Sequence, residues 1–182
     1  MLAGLGRPPR AATIEHYRSL GLDLVPGTGH LAACVPGAFD AWLLLLERYG
    51  TLSLPDVLAP ATGYARRGYP VIPAIARTIT AVEQLFTEHW PTSAAVYLPG
   101  GAVPEPGSRL TNSVLADTYE RLSALAAGKE RVAGIAAARA AFYRGFVAQA
   151  VDEFVRTPVM DTSGTPHAGV LTADDLARWQ TP

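Results

Sequence analysis

Between Thr13 and Trp179, large apolar residues recur at intervals of three and four, and a glycine or proline closes almost every run. That period puts them on one stripe of a helix, whereas a half-buried strand needs strict alternation. The punctuation keeps each helix short. Thr13 offers a hydroxyl to cap a helix reaching residue 20; Glu15 suits its positive end and Gly21 stops it. Phe39, Trp42, Leu43, Leu46 and Tyr49 share one face of the next helix. Pro36-Gly37 introduces it, Gly50 is expected to end it in a left-handed conformation, and the Trp42 stripe is expected to be core. Ser53 and Asp56 have the spacing of a capping box for a helix ending at Arg67, with Pro60 kinking it from inside. Ile72, Ile75, Ile79, Val82 and Phe86 mark a helix over residues 73–87. Proline-rich residues 88–112 read as a long loop with one short strand at 94–98. Val114, Leu115, Tyr119, Leu122 and Leu125 mark a further helix, capped by Asn112 or Ser113 and stopped at Gly128. Alanine-rich residues 133–141 are helical by propensity. Phe142, Phe146, Val147, Ala150, Val151 and Phe154 form one more stripe, and Thr172 with Asp175 is a second capping box, opening a last helix to Trp179. The expected class is mainly α, with few or no strands, over a single unit of residues 1–182.

Composition removes several partners. Fifteen Lys and Arg against 16 Asp and Glu leave a net charge of −1, so no basic excess exists to neutralise the phosphates of a nucleic acid. With 49% apolar and 17% charged residues, the chain buries too much to be disordered. Its strongest apolar run, residues 41–46, is far short of the roughly 20 residues of a membrane span. Cys34 is the single cysteine, so it forms neither an internal disulfide nor a zinc site alone; its apolar neighbours predict a buried, inert thiol. The residues before Arg7-Pro8-Pro9-Arg10 are too few for the apolar core of a signal peptide. Both ends read as cuts within a larger protein.

Reacting groups are sparse. His16, His30, His89 and His167 never stand four apart, and no His-Glu-x-x-His pair is present; each is expected at the surface or partly satisfied. There is no Gly-x-Ser-x-Gly elbow and no phosphate-binding loop. Asp174-Asp175 suits a helix start, Arg66-Arg67 suits a helix end, and Asp152-Glu153 falls on a solvent face. These residues imply no metal and no cofactor.

A series of short motifs nevertheless stands in a telling order. It runs Val35-Pro36-Gly37, Arg48-Tyr49-Gly50, Leu58-Ala59-Pro60-Ala61, and Ala65-Arg66-Arg67-Gly68-Tyr69-Pro70-Val71. Then come Tyr97-Leu98-Pro99-Gly100-Gly101, Leu115-Ala116-Asp117-Thr118, Ala141-Phe142-Tyr143-Arg144-Gly145 and Leu171-Thr172-Ala173-Asp174-Asp175-Leu176-Ala177. The series resembles the middle part of the large subunit of gamma-glutamyltransferase (gamma-glutamyl transpeptidase). The resemblance implies an N-terminal nucleophile hydrolase of αββα parent fold, whose precursor cuts itself to free the amino group of a threonine on a small subunit. That threonine attacks the γ-glutamyl amide of glutathione-like substrates, forms an acyl-enzyme and passes the acyl group to water or an amino acid.

The implied threonine and the glycine-rich oxyanion segment belong to parts not encoded here. The implied partners are therefore the remainder of the large subunit and the small subunit, and the isolated chain is expected to be inactive. In the family an arginine ahead of a proline-rich turn grips the substrate α-carboxylate. Arg7, in Gly6-Arg7-Pro8-Pro9, is either that residue or a solvated arginine beside a rigid turn. Two other readings stand beside the glutathione-type enzyme: a related amide hydrolase of the cephalosporin acylase or oxamate amidohydrolase type, and a non-catalytic helical interaction module.

Overall fold

A computed structural model describes residues 4–182. Among them are nine α-helices: α1 (Ile14–Ser19), α2 (Ala38–Tyr49), α3 (Leu54–Arg67), α4 (Pro73–His89), α5 (Pro91–Tyr97), α6 (Ser113–Ala126), α7 (Arg131–Tyr143), α8 (Phe146–Val155) and α9 (Ala173–Ala177). Strand is confined to two antiparallel pairs of two residues each, β1 (Tyr69–Pro70) with β2 (Arg109–Leu110) and β3 (Val159–Met160) with β4 (Pro166–His167). The mainly α expectation holds. The chain divides into two compact units, one built from both ends (up to Leu54 and from Leu125) and one from Pro55–Ala124.

In the unit built from both ends, α7 packs against α2, α8 and α9. Val35, Tyr143, Ala148, Val155, Leu171 and Leu176 form its core, with Phe39, Phe142 and Trp179 against them. The local signals place the ends as expected. The Thr13 hydroxyl accepts from the His16 amide, and Gly21 takes a φ of 75°. Thr172 and Asp175 exchange side-chain-to-backbone hydrogen bonds in a complete capping box.

Four expectations fail here. Helix α2 keeps only part of the expected stripe inward: Leu43 is buried and Phe39 packs on the core, with Asp40 and Ala41 buried beside them, while Trp42 is 65% exposed and Tyr49 75%. Asp40 sits inward because Arg139 and Thr181 meet its carboxylate there and the Tyr143 hydroxyl accepts from its amide. Gly50 has an extended conformation (φ −86°, ψ 160°), and the reason for glycine is space: a Cβ would stand 2.6 Å from Leu46 Cδ1 and 2.7 Å from its carbonyl oxygen. Cys34 is exposed. The Phe142–Phe154 stripe is two helices, because the chain breaks at Gly145, where a Cβ would lie 2.8 Å from the Ala141 carbonyl oxygen.

In the second unit, α3 carries Pro60 inside it, and Gly68 (φ 84°) turns the chain into β1. Tyr69 pairs with Leu110, and Val71, Ala76 and Leu110 form a small core. Residues 94–98, expected as a strand, fall mostly in α5. Pro91 presets its first turn, alanines favour it, and Phe86 stacks on both Trp90 and Tyr97, holding α5 on α4.

Candidate functional site

Arg7 belongs to an extended segment whose backbone is fixed and whose side chain is free. The Val35 amide donates to the Arg7 carbonyl at 2.9 Å, and the Arg10 amide donates to Asp175 Oδ1 at 3.1 Å. Pro9 is buried between them. Gly6 lets the segment lie this close, since a Cβ there would fall 1.9 Å from the Val35 carbonyl oxygen. The Val35-Pro36-Gly37 motif has the same logic: a Cβ on Gly37 would meet the Trp179 ring at 2.5 Å. Arg7 itself is exposed, and among the described residues no carboxylate pairs with its guanidinium. A held backbone carrying an unpaired guanidinium suits bidentate capture of a carboxylate, with only the side chain left to order on binding.

Beneath α2 lies a polar network that sequence patterns do not reveal. Arg139 Nε stands 2.8 Å from Asp40 Oδ1, an ion pair whose N–H points off the hydrogen-bond line, and its Nη1 donates to Glu47 at 3.0 Å. Asp40 Oδ2 accepts from the Thr181 amide and hydroxyl. The Asp40 amide donates to the Tyr143 hydroxyl at 2.9 Å, and that hydroxyl donates to the Pro36 carbonyl at 2.6 Å. Burial pushes the Tyr143 phenol up to about 12. The network fastens the start of α2, α7 and the segment beyond α9 together. The Phe142-Tyr143 motif is thus partly a hydrogen-bonding device as well as an apolar anchor.

A second cluster surrounds Asp161. Its Oδ1 accepts from the Ser163 amide and hydroxyl, and Oδ2 meets His167 Nδ1 at 2.8 Å across the β3–β4 turn. Burial pushes this carboxyl up, but the Ser163 and His167 bonds outweigh it, so it falls below the usual carboxylate range. Gly29 leans on the Asp161 side chain, where its own Cβ would stand only 2.7 Å away. The Thr162 hydroxyl accepts from the Gly27 amide. His30 lies beside Phe154 with Nδ1 3.3 Å from the Val155 carbonyl. No group of three metal-ligating side chains occurs among the described residues.

Other charged residues singled out in the sequence are structural. Asp174 pairs with Arg10 and Arg178. Asp152 is not an idle solvent residue: it accepts from the Ala173 amide at 3.1 Å and pairs with Arg156, so it holds the start of α9, and these bonds lower its carboxyl. In the other unit, Arg66 forks between Asp117 and Glu120. Two separate motifs, Ala65–Val71 and Leu115–Thr118, therefore meet as one ion-pair contact. Sequence reasoning treated their charges one at a time because the partners stand about fifty positions apart.

The sequence profile of the family described as Gamma-glutamyltranspeptidase matches residues 1–182. The chain is 36% identical over 150 residues to the Glutathione hydrolase-like YwrD proenzyme of Bacillus subtilis, covering 81% of this chain and 26% of that protein. It is 39% identical over 133 residues to the Acylase ACY 1 proenzyme of a Pseudomonas species, covering 68% and 24%. The solved structure of LmbA2991HD superposes with a TM-score of 0.96 at 53% identity, over all of this chain and 31% of the other. The chain thus spans about a quarter to a third of the length of these relatives, and its helices are part of an N-terminal nucleophile hydrolase fold. The motif order, the helical architecture and the full-length profile match agree: the chain belongs to the gamma-glutamyltranspeptidase family.

Proposed function

We propose that this chain is the middle helical part of the large subunit of a γ-glutamyl amide hydrolase or transferase. In the complete protein a threonine outside residues 1–182 is the nucleophile and Arg7 holds the substrate α-carboxylate. The single observation that carries this reading is the family match along the whole chain, joined to relatives described as proenzymes. The geometry of Arg7 supports the second half: its backbone is held by Val35 and its guanidinium is exposed without a carboxylate partner among the described residues. A second reading, an acylase acting on a different amide, is favoured by the 39% identity to Acylase ACY 1.

The test uses the full reading frame beside the isolated chain. The complete protein is expected to release p-nitroaniline from γ-glutamyl p-nitroanilide, and the 182-residue chain is not. Arg7→Lys in the complete protein keeps the charge but loses the planar fork, so kcat/KM is expected to fall on the order of ten- to a hundred-fold, the equivalent of about 1.5–3 kcal/mol. An amide substrate without the α-carboxylate should show no such loss. Equal kinetics for Arg7→Lys and parent would remove Arg7 from the site. A complete protein active only on cephalosporin-type amides would favour the acylase reading.

A further inference from the structure

The unit formed by Pro55–Ala124 holds an open cleft of about 360 Å³ whose lining does not include Arg7. Four tyrosines from four elements line it: Tyr64 of α3, Tyr69 of β1, Tyr97 of α5 and Tyr119 of α6. Leu110 and Asn112 complete the part of the wall that matters here. Its size falls at the lower end of the range of about 300–1,000 Å³ typical of small-molecule sites. Among the described residues, none of the four rings stacks on another of the four; Tyr97 stacks on Phe86 instead, at 5.8 Å between centroids. The phenol faces are therefore not consumed by one another.

The charge of the wall decides what fits. Every lining residue is uncharged. A carboxylate entering would find no guanidinium or ammonium to replace its water, and would face the electron-rich rings. A cation would gain ring attraction, yet it would find no carboxylate to offset its desolvation. A neutral planar ring loses little hydration, stacks on or against the phenols, and can exchange hydrogen bonds with their hydroxyls; the Asn112 Oδ1 already accepts from the Leu115 amide, which leaves its Nδ2 as a donor. A zwitterionic γ-glutamyl group is the kind of ligand this wall excludes. We propose that this tyrosine-lined cleft is a binding site for a neutral aromatic small molecule, built from residues other than the carboxylate grip proposed at Arg7.

Indole, titrated into the full 182-residue chain labelled with ¹⁵N, is the probe. Amide shifts are expected to cluster around Tyr64, Tyr69, Tyr97 and Tyr119. Tyr64→Ala and Tyr119→Ala should each weaken binding about fivefold or more. Benzoate and tetramethylammonium, tested at equal concentrations, should leave these amides unmoved. Tyr64 is 63% exposed, so Tyr64→Ala keeps the test alive if Tyr119→Ala fails to fold. The proposal is overturned by shifts centred elsewhere, such as the exposed Trp42 face. It is equally overturned by an indole affinity that Tyr64→Ala leaves unchanged, by the absence of shifts up to the solubility of indole, or by tighter binding of either ion.

Discussion

The two units of this chain are held together in opposite ways. The unit made from both ends relies on polar contacts between residues far apart in sequence: Arg10 to Asp175 across 165 positions, Thr181 to Asp40 across 141, Asp40 to Tyr143 across 103. Several of these groups are buried. The unit made from Pro55–Ala124 is contiguous, and its prominent ion pair, Arg66 with Asp117 and Glu120, stands in solvent. A buried charge that loses its partner keeps its desolvation cost, whereas an exposed one regains water. The same residue types should therefore matter much more in the first unit.

The largest expected effect is Asp40→Ala. It removes one of the two carboxylates on half-buried Arg139, which keeps Glu47, and it takes away both Thr181 bonds, so unfolding should become easier by about 3 kcal/mol. Denaturant melts of the 182-residue chain read this directly. A shift no larger than that of an exposed ion pair would erase the contrast between the units.

Alkali provides the next test. The Tyr143 phenol rises from its ordinary value of 10.0 to about 12 in the folded chain. Above pH 10 the unfolded chain sheds this proton and the folded chain keeps it, so stability falls as pH rises from about 10 to about 12 and is unaffected by this group below that. The loss is at most about 2–3 kcal/mol. Tyr143→Phe gives up two hydrogen bonds at neutral pH but should flatten this alkaline slope. A slope unchanged by the substitution would place the sensitive group elsewhere.

Thr172→Ala removes the hydroxyl half of the α9 capping box and should cost about 1 kcal/mol. Its effect on hydrogen exchange should be confined to α9 and the Asp152 contact. A global loss of protection would mean that α9 nucleates the whole unit.

The smallest effects sharpen the comparison from the other side. Arg66→Ala should leave the thermal midpoint where it is, because both of its partners return to solvent. Trp42→Ala should change stability by no more than about 0.5 kcal/mol in this chain, since the ring is 65% exposed. A drop in midpoint for Trp42→Ala comparable to that for Asp40→Ala would show that the α2 stripe is covered in solution, by self-association for instance. Sedimentation would reveal it.

Sequence alone determined what is decided within a turn of chain. The Thr13 cap, the Thr172–Asp175 box, the tight turns at Gly21, Gly68 and Gly128, and the helical period of α4 and α6 depend on neighbours three or four positions away, which a sequence displays. The ordered motifs around Val35, Arg66, Asp117 and Leu171 were enough to place the chain in its family. The tertiary structure decided which face of each helix is inside and which charges are shared. Trp42 is larger and more apolar than Asp40, so any local measure buries Trp42. Asp40 goes inward because Arg139, Tyr143 and Thr181, between 99 and 141 positions away, supply its bonds. Residues 94–97, read from sequence as strand, belong to α5, which Pro91 and the alanines favour and which the Phe86 ring fastens to α4. The apolar neighbours of Cys34 do not cover its thiol. A buried polar group is stable only in company, and the company of these residues assembles only when both ends of the chain meet.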